Sequence, residues 1–258
     1  MRHAVSADGT RIAYRVSGSG EPLLLVSGQS LDHRMWHTLV PRLSAHYAAI
    51  TFDHRGTGHS DKPEPAYTTR LFAEDAVAVL DAVGALKAHL FGFSMGGRVC
   101  QWLAADYASR VGALVLAATT AGNSRGVARD RRVTALLQSG NMEALDRLFY
   151  SPEYLAGGGR PWRVSDTPPF ARRLHYQASE THDAWSALVS IDRPTLILHG
   201  AEDQVTPPDN ARRMADAIAG SELLLIPGGR HGIVAELDHA TIQAVIDFLR
   251  RHPIGALG

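Results

Sequence analysis

Short apolar runs alternate with amphipathic stretches along most of the chain. The runs predict strands at Arg11–Val16, Leu23–Val26, Ala48–Phe52, His89–Phe93, Ala113–Ala117, Thr195–His199 and Leu223–Ile226. Leu-Leu-Leu-Val in the second and Leu-Ile-Leu in the sixth are continuously apolar, as strands of a parallel sheet covered on both faces are expected to be. Between the runs, apolar residues recur at i, i+3, i+4 and i+7. The stripes are Trp36, Leu39, Val40, Leu43; Phe72, Ala76, Val79, Leu80, Val83; Cys100, Leu103, Ala104, Tyr107; Ala211, Met214, Ala215, Ile218; and Ile242, Val245, Ile246, Leu249. Each predicts a helix with one buried face. Strand and helix alternate, so the expected architecture is an α/β sheet with helices on both faces.

The alternation breaks between about Thr120 and Ser190, where helical stretches follow one another without strands, interrupted by Gly157-Gly158-Gly159-Arg160-Pro161 and Pro168-Pro169. We expect a core of residues 1–119 and 191–258 with a helical cap, 120–190, inserted between two strands. Aromatic residues concentrate there: Phe149, Tyr150, Tyr154, Trp162, Phe170, Tyr176 and Trp185. Most should form the cap's own small core, with one or two facing a substrate cavity.

The strand at His89–Phe93 runs into Gly92-Phe93-Ser94-Met95-Gly96-Gly97. A serine at the tip of a sharp strand-to-helix turn takes a strained conformation, and Gly92 and Gly96 stand where a Cβ would meet the neighbouring chain. The turn exposes the hydroxyl and aims a helix N-terminus at a reacting carbonyl. This points to acyl-transfer chemistry. A serine hydroxyl is a poor nucleophile at neutral pH and needs a base, which in turn needs an acid to hold its tautomer. Both should follow strand ends in an open parallel sheet. Downstream, Thr195–His199 leads into Gly200-Ala201-Glu202-Asp203, and Leu223–Ile226 leads into Pro227-Gly228-Gly229-Arg230-His231-Gly232. The order Ser94, Asp203, His231 is that of one serine-hydrolase architecture. Glu202 is the competing acid, one residue away. Of the 13 histidines, His54, His59 and His199 also lie near strand ends, but only His231 follows the acid on the next strand. His199 reads as strand wall.

The oxyanion would be held by the N–H of Met95 and by an N–H in Ser27-Gly28-Gln29-Ser30, with Gln29 the candidate and Gly28 permitting close approach. Asp53-His54-Arg55-Gly56-Thr57-Gly58-His59-Ser60 lacks the lysine of a phosphate loop and the third glycine of a dinucleotide motif, so it reads as structural, with Asp53 and Arg55 tying backbone groups beside the site. No metal-ligand spacing is evident, and neither metal nor cofactor is expected.

With 258 residues, 45% hydrophobic, the chain can bury one large core. Its 26 basic residues balance 26 acidic ones, which argues against nucleic acid and anionic membrane surfaces as partners. The N-terminus has no charged segment followed by an apolar one, and no run approaches the ~20 apolar residues that span a bilayer, so a cytoplasmic protein is expected. Cys100 stands alone and falls on an apolar helix face, as an inert buried thiol would.

The ordered motifs Ser27-Gly28-Gln29 with Trp36, Asp53 through Ser60, Gly92 through Gly97, Gly200 through Asp203 with Pro207, and Gly229-Arg230-His231-Gly232 resemble the α/β-hydrolase fold superfamily over nearly the whole chain. The resemblance implies an eight-stranded, mostly parallel sheet, a cap between the sixth and seventh strands, and cofactor-free chemistry through an acyl-enzyme. The chain looks most like 3-oxoadipate enol-lactonases, aminoacrylate hydrolases and small esterases: Gly92 through Gly97 followed by Gln101-Trp102-Leu103 is similar to the enol-lactonase elbow and helix. Ser27 stands where a histidine usually precedes the oxyanion glycine. Proline iminopeptidases carry Trp at the Met95 position and meta-cleavage C–C hydrolases commonly Asn at the Phe93 position. Epoxide hydrolases and haloalkane dehalogenases carry Asp where Ser94 stands. The expected activity is hydrolysis of a small carboxylic ester or lactone. C–C bond hydrolysis, perhydrolysis or a lyase step on the same triad, or a ligand-binding protein without turnover, stay open, as does a homo-oligomer. No anion clamp can be picked from Arg160, Arg163, Arg172 and Arg173, which read as a solvated face.

Overall fold

The computed structural model describes residues 1–163 and 167–255. Its strands are β1 (Arg2–Val5), β2 (Arg11–Ser17), β3 (Pro22–Val26), β4 (Ala48–Phe52), β5 (Ala88–Phe93), β6 (Val111–Ala117), β7 (Thr195–Gly200) and β8 (Glu222–Ile226). They form one eight-stranded sheet in the order β1-β2-β4-β3-β5-β6-β7-β8. β1 and β2 pair antiparallel, as do β2 and β4; every other pair is parallel. The expected mostly parallel, eight-stranded α/β sheet is therefore present. β1 was not evident in the hydropathy pattern: of its four residues only Ala4 is buried, and the strand is held by main-chain pairing to β2 and by packing on the helix Thr69–Val83. At the other edge, β8 is apolar in sequence but only half covered, because it has a strand neighbour on one side.

Alternate residues of the central strands feed two cores. Leu24, Val26, Ile50, Phe52 and Leu90 face the helices Thr69–Val83 and Met95–Asp106, while Leu23, Leu25, Phe91 and Phe93 face the helix His239–Arg251 and the segment around Trp36. This period of two is what a pleated sheet covered on both faces dictates. The helix Thr69–Val83 starts where the Thr68 side chain accepts from Leu71 N, and it stops at Gly84, φ 78°. The stripe Trp36 to Leu43 is not one helix but a 3₁₀ turn, His33–Trp36, followed by the short helix Val40–Leu43. Pro41 has no N–H to give to His37 O, so the ladder is interrupted between them.

Between β6 and β7 lie the helices Arg131–Gln138, Met142–Phe149, Pro152–Ala156, Pro169–Glu180 and Trp185–Leu188. The two ends of this segment meet: Gly122 bridges Asp183, Ala184 N donates to Ala121 O (2.7 Å) and Trp185 Nε1 donates to Gly122 O (3.0 Å). Strand order reverses between β3 and β5, so the loops after these two strands leave the same sheet edge side by side, where open α/β sheets bind ligands. No helix among the described residues is long and apolar enough to cross a membrane.

Candidate active site

β5 is buried along its whole length and ends at Phe93, and the helix Met95–Asp106 begins one residue later. Ser94 joins them at φ 53°, ψ −115°, a left-handed conformation that costs a non-glycine residue about 1–3 kcal/mol. It is partly exposed, whereas Met95 through Gly97 are buried. Gly96 is required by its surroundings: an added Cβ would overlap Val26 O and lie 2.7 Å from Ser27 O. The elbow thus packs directly on the start of the loop after β3.

The structure brings His231 and Asp203 to this serine. His231 Nε2 lies 3.0 Å from Ser94 Oγ, and His231 Nδ1 lies 2.8 Å from Asp203 Oδ2. Both side chains come from loops at the ends of β8 and β7. Those loops are knitted together, since Ala201 N donates to Ile226 O and Glu202 N to Gly229 O (2.9 Å each). Asp203 Oδ1 accepts from Val205 N and Thr206 N at 2.8 Å each, which leaves Oδ2 for the imidazole. Glu202 faces solvent, 4.0 Å from Arg230 Nε, and does not reach His231. Burial would raise the Asp203 carboxyl, but the charge of His231, the hydrogen bonds from His199 and His231 and the charge of His199 outweigh it and hold the group well below the usual carboxylate range. An ionised Asp203 accepts only, so His231 Nδ1 must carry the proton and Nε2 presents a lone pair to the Ser94 hydroxyl.

His199 does more than line a strand. Its Nε2 donates to Thr206 O (2.8 Å) and lies 3.3 Å from Asp203 Oδ2, closing the underside of the acid loop. His54 and His59 are remote from Ser94's hydrogen bonds: His54 Nε2 donates to Ser27 O (3.1 Å), and His59 N donates to Asp53 Oδ2 (2.8 Å). Asp53 ties backbone as expected, also accepting from His33 N (2.8 Å) and His33 Nδ1 (2.7 Å). Arg55 does not. Its guanidinium is buried in a bidentate pair with Asp75 (2.6 and 2.7 Å) and a contact with Asp8 (2.7 Å), and these carboxylates offset the cost of burying its charge.

Neither Gln29 N–H nor Met95 N–H meets an acceptor among the described residues. Gly28 lets the Gln29 loop lie against the elbow: a Cβ there would come within 2.8 Å of the Phe93 ring. Of the aromatic residues in the 120–190 segment, Phe149 stands edge-on to the His231 ring (5.2 Å) and Trp162 packs on Phe93 (5.1 Å), while Tyr150 is buried and stacks on Tyr154. Val133, Leu148 and Val205 form a small cluster that joins two helices of this segment to the acid loop. His231 and Asp203 are only 3% and 2% exposed, and Phe149 is among the side chains that cover the His231 ring. Surface concavities lined by Val5, Glu74 and Tyr107 and by Ser151, Ile226 and Asp238 open elsewhere and include none of Ser94, Asp203 or His231. Arg160, Arg172 and Arg173 are exposed, and Arg163 pairs with Asp146.

Asp32, His33 and Asp53 bring ligand-type atoms within 4.8 Å of one another. Those atoms are engaged by Arg34 and by the His33–Asp53 hydrogen bond, which leaves no open donor set for a metal. Cys100 is fully buried, and burial pushes its thiol far up, out of the reactive range.

The chain is similar to a number of known proteins. The chain is 31% identical to a provisionally named non-heme chloroperoxidase of Synechocystis sp., over 86% of this chain and 88% of that protein. It is 30% identical to 3-oxoadipate enol-lactonase 1 of Acinetobacter baylyi, over 77% and 78%. The crystal structure of a hydrolase from Pseudomonas aeruginosa superposes with a TM-score of 0.81 at 32% identity, covering 96% of this chain and 97% of that one. Residues 21–236 match the alpha/beta hydrolase fold family model, and it is to this family that the chain belongs.

Proposed function

We propose that the protein hydrolyses a small carboxylic ester or lactone through an acyl-enzyme on Ser94. The observation that carries this reading is the unbroken relay from Ser94 Oγ through His231 to Asp203, at 3.0 and 2.8 Å, built on a serine held at positive φ. His231 Nε2 takes the hydroxyl proton as Oγ attacks the carbonyl carbon. The oxygen that becomes negative is met by Met95 N–H and Gln29 N–H; each such donor contributes about 10²–10³ in turnover. His231 then gives its proton to the leaving oxygen, deprotonates a water, and the water releases the acid from Ser94. Asp203 stays ionised and fixes the tautomer and angle of His231. Residues 120–190 act as a cap that excludes bulk water, with Phe149 against the His231 ring and Trp162 behind Phe93.

The relatives named as an enol-lactonase and the esterase from Exiguobacterium antarcticum (TM-score 0.84, 26% identity) support an ester-type substrate. The relative named as a chloroperoxidase supports a second reading, in which hydrogen peroxide replaces water in the second half-reaction and yields a peracid.

The test is intact mass of wild-type protein and Ser94→Ala after exposure to a fluorophosphonate, followed by turnover of esters and lactones with and without peroxide. A single adduct on wild type and none on Ser94→Ala is expected. Equal ester turnover by Ser94→Ala would sink the proposal; peracid formed faster than free acid would favour the second reading.

A further inference from the structure

Two buried histidines that the relay does not use lie behind the loop carrying Gln29. His54 and His175 are both fully buried, with rings 6.0 Å apart, and they pack with Phe72 and Tyr67. His54 follows β4, and His175 sits on the helix Pro169–Glu180 of the inserted segment. Their hydrogen bonds fall on either side of Gln29. His54 Nε2 reaches Ser27 O (3.1 Å), and Ser30 N reaches His175 Nδ1 (3.3 Å).

Partner chemistry sets both tautomers. Ser27 O can only accept, so His54 carries its proton on Nε2. Arg55 O, 2.8 Å from His175 Nε2, can also only accept, so His175 carries its proton on Nε2 as well. Its Nδ1 is then a bare lone pair, the one form able to accept Ser30 N–H. The cationic form would set two donors against each other. Burial and the neighbouring His54, outweighing the Arg55 hydrogen bond, push His175 down to about 3, which keeps it in the accepting form at neutral pH.

Ser30 needs this hold. It is a non-glycine residue at φ 60°, a conformation that persists only where neighbours impose it. Its own hydroxyl is buried and has no partner among the described residues, and the contacts that act on it are to its main chain: N on His175, and O accepting from Thr167 Oγ1 (3.3 Å). His175 and Thr167 both come from the inserted segment, so that segment grips the Gln29 loop from one side while His54 grips it from the core.

We infer that His175 is a positioning residue that aims the Gln29 N–H, coupling the seating of the helix Pro169–Glu180 to assembly of the oxyanion site. This rests on the ester-hydrolase reading, in which Gln29 N–H meets the developing charge. Losing the grip on Ser30 N loosens one donor of two, and the effect falls on the transition state rather than on substrate binding.

Steady-state hydrolysis of p-nitrophenyl acetate by His175→Asn, His175→Gln and His175→Phe tests it. Asparagine keeps an acceptor near the Nδ1 position and glutamine a donor near the Nε2 position; phenylalanine keeps neither. The expected result is a fall in kcat of about 10- to 100-fold for the Gln and Phe variants, with KM within about twofold of wild type, and substantial recovery of kcat in the Asn variant. Wild-type kcat in the Gln and Phe variants, or an Asn variant no better than Gln, would overturn it. If the variants fail to fold, ¹⁵N-histidine NMR of the wild type decides: His175 protonated on Nε2 with Nδ1 accepting is expected, and the Nδ1–H tautomer or the cation would overturn it. Ser94→Ala is assayed alongside. Turnover surviving there defeats the ester-hydrolase reading, whereas an inactive Ser94→Ala with a fully active His175→Phe defeats this inference alone.

Discussion

Replacing Asp75 with asparagine would leave the Arg55 guanidinium, itself 2% exposed, without the carboxylate that engages it through two oxygens. Two unit charges centred about 4 Å apart attract by about 4 kcal/mol at an effective dielectric near 20. Breaking a buried pair from one side costs about 3–5 kcal/mol, because the remaining charge is stranded. Asp8 stays in place on the other edge of the guanidinium, so the lower end, about 3 kcal/mol, is expected. The side chain of Asp8 is 48% exposed, and its contact is worth at most about 1 kcal/mol after solvent screening. Urea unfolding followed by tryptophan fluorescence would measure both. At a slope of roughly 3 kcal/mol per molar, Asp75→Asn should lower the midpoint by about 1 M and Asp8→Asn by no more than about a third of that. The double variant Arg55→Met, Asp75→Leu removes both charges and should recover most of the loss. Equal costs for Asp8→Asn and Asp75→Asn, or a double variant as unstable as Asp75→Asn, would refute the reasoning.

Gly96→Ala should abolish soluble expression or activity outright, since the obstructing atoms are the main-chain oxygens of Val26 and Ser27, which no side-chain rotation can clear. Gly157→Ala, whose nearest neighbour would be Glu153 O at 3.2 Å, is the control and should express normally. Stability should also fall on acidification. Burial holds His54, His175 and His182 below the ordinary histidine value, with the His54 charge adding to the effect at His175 and that of Arg98 at His182, so the unfolded chain takes up protons that the folded chain refuses. Stability is therefore complete above about pH 6.5 and lost below it, by up to about 1.4 kcal/mol per pH unit for each histidine, continuing toward pH 3 for His175. Urea midpoints at pH 7, 6 and 5 would check this; a flat profile would contradict it.

Ser94, Asp203 and His231 could be picked out of the sequence because each follows a short apolar strand, and the chain order of the three matches one known architecture. The central strands were legible for the same reason: burial on both faces leaves uninterrupted apolar runs. β1 was not, since four residues with a single buried side chain carry no periodicity. Nor was the role of Arg55, whose acid lies 20 residues away on a helix whose pattern shows only its apolar stripe. His175 was invisible for a stronger reason. Its two hydrogen-bond partners are 145 and 120 residues distant, and its tautomer follows from a carbonyl whose position only the assembled fold supplies. Local pattern reveals which strand end holds a group, and long-range packing decides what supports it.

The short crosslink of Gly122 to Asp183, with Ala184 N on Ala121 O, draws together the two ends of the helical segment between β6 and β7. Lengthening such a loop costs the rest of the molecule little, about 0.6 kcal/mol per doubling. A change of length between these two ends therefore moves the strands they leave and enter very little. The helix Pro169–Glu180 is held more strictly: because His175 on that helix reaches into the loop after β3, it cannot be exchanged without also altering the hydrogen bonds of that loop.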